Sequence, residues 1–139
     1  MRSVLKVLDM VKRHLPQDRS AVVLRCFTGS RSEARRAAAL GCYISVNAQM
    51  IRPEHGRTLF ADLPLNRIVT ETVGPFSQVD GRPPEPADVR AAVGAIAGAR
   101  NLPKEAVTGA IHTNPQSLLC TCLQPTSLTQ GALETVHVY

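Results

Sequence analysis

Twice in this chain a short apolar run breaks straight into a polar turn punctuated by glycine. Ala21–Leu24 leads into Arg25-Cys26-Phe27-Thr28-Gly29-Ser30, and Ile68-Val69 leads into Thr70-Glu71-Thr72-Val73-Gly74-Pro75. Strands buried on both faces read as continuous apolar runs, and α/β folds place their chemistry where such strands end. The two motifs therefore predict parallel strands with a polar rim at their carboxyl ends. Parallel strands in turn require long crossovers, usually helices, so the chain is limited to alternating strand and helix units.

The remaining pattern fits that limit. Val4, Leu5, Val7, Leu8, Val11 and Leu15 recur at helical spacing, predicting a helix over 2–15 that stops before Pro16. A strand over 21–27 follows. Ser30-x-x-Glu33 has the form of a capping box opening a helix to Leu40, and Gly41 suits the left-handed residue that closes it. Strands are predicted over 42–48 and 67–73, with a short helix over 53–63 between them. The loop 74–85, rich in Pro and Gly, is long enough to cover a site. Pro86 begins a helix ending near Asn101, and Pro103 begins another with Val107, Ala110 and Ile111 inward. Asn114 is expected to cap a last short turn through Leu118 and Leu119. The tail Cys120–Tyr139 has no helical stripe, and is expected to be poorly structured and separate from a domain over 1–119.

With 139 residues, 44% of them apolar, the chain suits one soluble domain whose core, given only three Phe, two Tyr and no Trp, must be aliphatic. The net charge of +5 comes from arginines spread along the sequence, which favours a solvated basic surface over a dedicated nucleic-acid arm. It also favours polyanionic substrates through long-range steering. Cys26 and Cys42 fall at opposite ends of neighbouring strands, and Cys120-x-Cys122 lacks the second pair that a zinc site needs, so the thiols read as structural or incidental. Lys6, Asp9 and Lys12 interrupt any leader-like run, and no stretch approaches the ~20 apolar residues of a membrane span. The expected location is the cytoplasm, with no membrane partner.

Several segments in register resemble the TatD-like metal-dependent deoxyribonucleases. These are the two rim motifs, Leu40-Gly41-x-Tyr43-Ile44-Ser45, Pro64-Leu65-x-Arg67-Ile68 and Asn114-x-x-x-Leu118-Leu119. The family pattern runs His-Cys-Phe-Ser/Thr-Gly-Ser and Glu-Thr-Asp-x-Pro. The Gly74-Pro75-Phe76 and Gly81-Arg82-Pro83 turns look most like the TatD-like member of Qat anti-phage systems, which implies a setting in anti-phage defence. The resemblance implies an α/β fold, the C-terminal three-strand portion of a TIM (β/α)8 barrel. It also implies a divalent metal and phosphodiester hydrolysis of DNA. The family's His-x-His pair, bridging Glu and a further His would belong to the preceding half of the barrel.

Two departures stand out against that pattern. Arg25 occupies the position of a metal-binding His, and Val73 that of a metal-binding Asp. A protonated guanidinium repels a cation and an isopropyl group has no lone pair, so no cofactor is expected for this chain. Strand alternation puts Arg25, Ser45, Asn47 and Glu71 on the interior face, with Glu71 the retained acid and the catalytic candidate, though an ion-pair role suits it better. Arg25, Thr28, Gly29, Ser30 and Asn47 are the candidate phosphate-binding residues, the turn at 28–30 through the free N–H groups of a helix start. His14, His55, His112 and His137 are scattered and read as surface residues. The chain is therefore expected to be a truncated hydrolase, inactive alone. The alternatives are a non-catalytic phosphate- or nucleic-acid-binding module, or one half of a split hydrolase. Self-association through unpaired strand edges is also expected.

Overall fold

In the computed structural model residues 3–15, 21–74, 78–79, 81–123 and 133–137 are described. Helix α1 (Ser3–His14) turns Val4, Leu8 and Val11 inward, the stripe its spacing dictates. Strand β1 (Ala21–Arg25) is followed by α2 (Arg31–Ala39), which buries Ala34 and Ala37. The Ser30/Glu33 capping box forms as expected, and Gly41 takes φ 81° where the chain leaves the helix.

Strand β2 (Tyr43–Val46) then leads into two short helices, α3 (Ala48–Ile51) and α4 (Glu54–Asp62). Only α4 corresponds to the predicted helix over 53–63. The first is started by the Asn47 side chain, which accepts hydrogen bonds from the N–H groups of Gln49 and Met50. Strand β3 (Ile68–Thr70), α5 (Val89–Arg100) and α6 (Lys104–Leu123) complete the series.

The predicted parallel sheet is present. β1 pairs with β2 at Val23↔Tyr43 and Leu24↔Ile44, and β2 with β3 from Ile44↔Ile68 to Val46↔Thr70. One face packs Val22, Leu24, Ile44, Val46 and Ile68 against apolar side chains of the helices, among them Leu8, Ile51, Phe60, Ile96 and Ile111. On the opposite face Ala21, Tyr43 and Val69 are covered by Leu118 of α6. Burial on both faces is why these strands carry no polar alternation.

The tail departs from its expectation. Leu133–His137 forms a further strand, β4, parallel to β1 in a register running from Ala21↔Leu133 to Arg25↔His137. The sheet order is β3-β2-β1-β4, so the β1 edge expected to stay open is paired. Five residues of mixed polarity give no periodic signal. Strand formation there depends on an available edge, not on local preference.

Asn114 also differs. It caps no separate turn, because α6 runs on through Pro115 to Leu123. Its side chain is instead buried against the start of β3, where Nδ2 donates to the carbonyls of Leu65 (2.7 Å) and Ile68 (2.5 Å). An amide between two backbone acceptors fixes α6 against β3. Replacing it with alanine strands both carbonyls. Asn114→Ala should lower unfolding stability by about 2–4 kcal/mol, read from denaturant midpoints at unchanged slope. A loss under 0.5 kcal/mol, roughly the scale of an ordinary surface substitution, would refute that role.

Candidate functional site at the carboxyl ends of the strands

β1 and β3 end side by side with β2 between them, and each delivers a charged residue to the rim. Arg25 Nε donates to Glu71 Oε2 at 2.8 Å, across the end of β2. The Glu71 side chain is only 7% exposed, against 32% for Arg25, so the carboxylate is the buried partner and the guanidinium the one that meets solvent. A buried carboxylate is tolerable only when paired and hydrogen-bonded. Here the backbone N–H of Cys26 supplies a second donor to Oε1, at 3.4 Å. The N–H of Glu71 itself donates to the Val46 carbonyl, anchoring the residue to the end of β2.

Cys26 is where the backbone accommodates this. Its φ of 51° lies in the left-handed region, unfavourable for a residue with a side chain and often associated with functional sites. The thiol lies 4.0 Å from Glu71 Oε1. Desolvation by burial raises its pKa first, and the Glu71 charge raises it further, while Arg25 acts the other way. Cys42, more deeply buried, is pushed to about 11. Sequence reasoning dismissed Cys26 as incidental. Strand alternation points it away from the barrel interior, and only the backbone turn at this residue brings it to Glu71.

Ser45 lies on β2 and Asn47 directly follows it. Ser45 is buried and its hydroxyl bonds the Leu24 carbonyl, while Asn47 is engaged as the α3 cap. Asn47, Glu71, Thr72 and Val73 line a shallow open cleft, joined by Gln49 and Asp88, which the sequence did not single out. Their arrival there depends on the 78–88 segment folding over the cleft. Gln49 Nε2 donates to the Gln78 carbonyl at 2.6 Å, and Arg82 holds Asp88 through paired bonds of 2.9 Å. The predicted covering loop is thus realised from residue 78 onward, whereas Pro75 and Phe76 lie outside the described residues.

The turn at Thr28–Ser30 serves its own helix. Glu33 Oε2 accepts from the Ser30 N–H at 2.7 Å and from its hydroxyl at 2.8 Å. Those bonds hold the Glu33 carboxyl below its usual range. An added β-carbon at Gly29 would stand 2.5 Å from the Phe27 ring, so glycine is required by close packing. An incoming phosphate would have to displace Glu33. Several arginines elsewhere are likewise engaged: Arg31 and Arg35 with Asp62, Arg36 with Asp9, Arg100 with the carbonyls of Phe60 and Leu63, and Arg67 over the Tyr43 ring. These form locally paired contacts.

A divalent metal does not fit this donor set. Among the described residues no three His, Cys, Asp or Glu side chains converge on one point. At the rim Glu71 is committed to a guanidinium and position 73 offers an aliphatic group. His14, His55 and His112 are exposed and distant in sequence from the rim elements.

The thiol gives a sensitive readout of the pair. Glu71→Gln removes the carboxylate that disfavours the thiolate, so the Cys26 pKa should fall and its alkylation at pH 8 should speed up severalfold. Arg25→Met removes the opposing charge, so alkylation should slow. Mass spectrometry separates Cys26 from Cys42, Cys120 and Cys122. Equal rates in all three proteins would show that the pair does not govern the thiol.

Comparison with known proteins agrees with this architecture. The family described as TatD related DNase matches residues 2–120. An uncharacterized metal-dependent hydrolase of Methanocaldococcus jannaschii is 27% identical over 110 residues, covering 78% of this chain and 42% of that protein. A 3'-5' ssDNA/RNA exonuclease TatD of Cronobacter turicensis is 34% identical, covering 62% and 32%. The crystal structure of a TatD homolog from Escherichia coli superposes with a TM-score of 0.71 at 28% identity, over 84% of this chain and 46% of that one. A TatD family hydrolase structure from Entamoeba histolytica gives the same TM-score at 14% identity, a likeness of fold. The chain thus spans less than half the length of these relatives, and its parallel strand and helix units are those of a TIM-barrel portion. On its rim motifs, its fold and this match, the chain belongs to the TatD related DNase family.

Proposed function

We propose that this chain holds a phosphate group at its rim and does not cleave phosphodiesters with its own residues, a hydrolase scaffold acting as a binding module. The observation that carries this is the Arg25–Glu71 pair: the acid at the end of β3 is bound by a guanidinium at 2.8 Å. A carboxylate so held is a poor metal ligand or general base. A half-buried guanidinium at a strand end suits the flat, two-oxygen face of a phosphate. Ser30 and Asn47 are occupied as helix caps, which moves the proposed contact to Arg25. Relatives named as nucleases of single-stranded DNA and RNA make a nucleic-acid backbone the proposed ligand. The cytoplasm is the proposed location. Anti-phage defence is a proposed setting, on the sequence likeness of the turns around Gly74 and Gly81 alone.

A second reading is supported by coverage of 46% of the solved relative. The chain would then be one part of a hydrolase whose remaining ligands come from another polypeptide, docking on β3, which pairs on one side only among the described residues. The same edge is the proposed surface for self-association.

Purified protein is expected to retain no stoichiometric Zn²⁺, Mg²⁺ or Mn²⁺ after dialysis. About one tightly bound ion per chain by elemental analysis would overturn the binding-module reading and favour the second.

Restoring the family residues should not restore cleavage. Arg25→His with Val73→Asp puts two ligands on one rim, whereas catalytic sites use about three protein ligands with outer-shell support. The added carboxylate close to Glu71, with Arg25 gone, should also lower stability by roughly 1–3 kcal/mol. Chelator-sensitive digestion of single-stranded DNA by the purified double variant would sink the proposal.

A further inference from the structure

Basic residues scattered along the sequence are gathered by the fold onto one outer surface. Helices α1 and α2 pack against each other and carry Lys6, Lys12, Arg13, Arg31, Arg35 and Arg36, all exposed, against the acids Asp9 and Glu33. Six bases less two acids leave a charge of +4 on these two helices, out of +5 for the whole chain. Arg36 joins the helices through Asp9 at 2.5 Å. Lys6, Lys12 and Arg13 stand three or four residues from Asp9 and so flank it on the same side of α1.

α2 also meets α4, and there the charge is most concentrated. Arg31 and Arg35, one helical turn apart, both donate from Nη2 to the same oxygen, Asp62 Oδ2, Arg35 at 3.0 Å. Arg100 arrives from α5, bonded to the carbonyls of Phe60 and Leu63 on either side of Asp62 in the chain. Three guanidiniums therefore share one carboxylate, which can neutralise only one of them. Asp62 engages a single nitrogen of Arg31 and of Arg35, and their side chains are 46% and 63% exposed. A guanidinium has five N–H donors, so most of each fork still faces solvent.

We propose that the surface formed by α1, α2 and the end of α4 binds the phosphate backbone of single-stranded nucleic acid, with the Arg31–Arg35 pair at its centre. This rests on the nucleic-acid reading above and puts a second, larger contact outside the rim. A local excess of one charge favours a polyanion, because binding releases the counterions condensed on it. The two guanidiniums are already ordered by Asp62, so little side-chain freedom is lost when they take phosphate oxygens. α2 begins directly after the rim turn at 28–30, which places Arg31 at the rim end of the helix. A strand held by Arg31 and Arg35 thus continues towards the carboxyl ends of the sheet.

The test measures binding of a labelled single-stranded oligonucleotide by fluorescence anisotropy across a series of salt concentrations. Arg31→Gln with Arg35→Gln should weaken binding about tenfold at low salt. It should also lower the slope of log K against log salt by about 1.4, the share of two phosphate contacts on a single strand. Lys12→Gln with Arg13→Gln should shift affinity and slope in the same direction. Asp62→Asn removes the shared carboxylate and should tighten binding severalfold, a gain that misfolding cannot produce. An unchanged slope in the arginine double variant, or no gain with Asp62→Asn, overturns the proposal. So does binding to anionic phospholipid vesicles without binding to the oligonucleotide, which would assign the surface to a membrane. Loss with Arg25→Met alone overturns the helix surface and spares the rim reading. Loss with the helix variants alone upholds the surface and removes the rim contact. No binding by the unaltered protein overturns both.

Discussion

A carboxylate almost sealed from water must find a positive charge or be neutralised by protonation, and the rim is organised around that requirement. Glu71 leaves β3 pointing into the space between strand ends, 7% exposed at its side chain. The neutralising group is Arg25, which can reach it only because β1 ends two strands away on the same face. Around that pair the left-handed backbone at Cys26 directs one more N–H to the carboxylate. Such an ion pair contributes little net stability, since desolvation offsets its attraction. Its effect is on which states the rim can adopt. In this arrangement the Glu71 carboxylate is turned to a guanidinium.

The sheet sets the second constraint. Parallel strands must be covered on both faces, and here the two faces are covered unequally. The helix side is a continuous aliphatic core with Leu24, Ile44 and Ile68 fully buried. The other side holds a small cluster closed by Leu118 of α6. Asn114 secures that helix to the start of β3, so an amide bonded to two carbonyls determines where the covering side chain lands. β4 then removes one open edge. Edge closure and face covering thus both depend on the last third of the chain.

Much of this was legible in the residues. Apolar periods marked α1, α5 and the three strands, Ser30 and Glu33 marked the start of α2, and Gly41 its end. The breaks at Arg25 and Glu71 marked the rim. These features are local: spacing, capping and turn chemistry act within a few residues and need no knowledge of the rest of the fold. Family kinship was legible for the same reason, since the motifs lie at strand ends where sequence and geometry coincide.

Tertiary structure alone decided the rest. No local signal joins Arg25 to Glu71, 46 residues apart, or brings Asp88 and Gln49 to the cleft beside Glu71. The role of Asn114 was misread because its preference for helix starts is local, whereas its actual partners are carbonyls on another element. β4 was missed because strand pairing is won by whichever segment finds a free edge in register, a property of the assembled sheet. Sequence determined the elements and the residues offered at their ends. Which of those residues meet was set by the packing of distant segments.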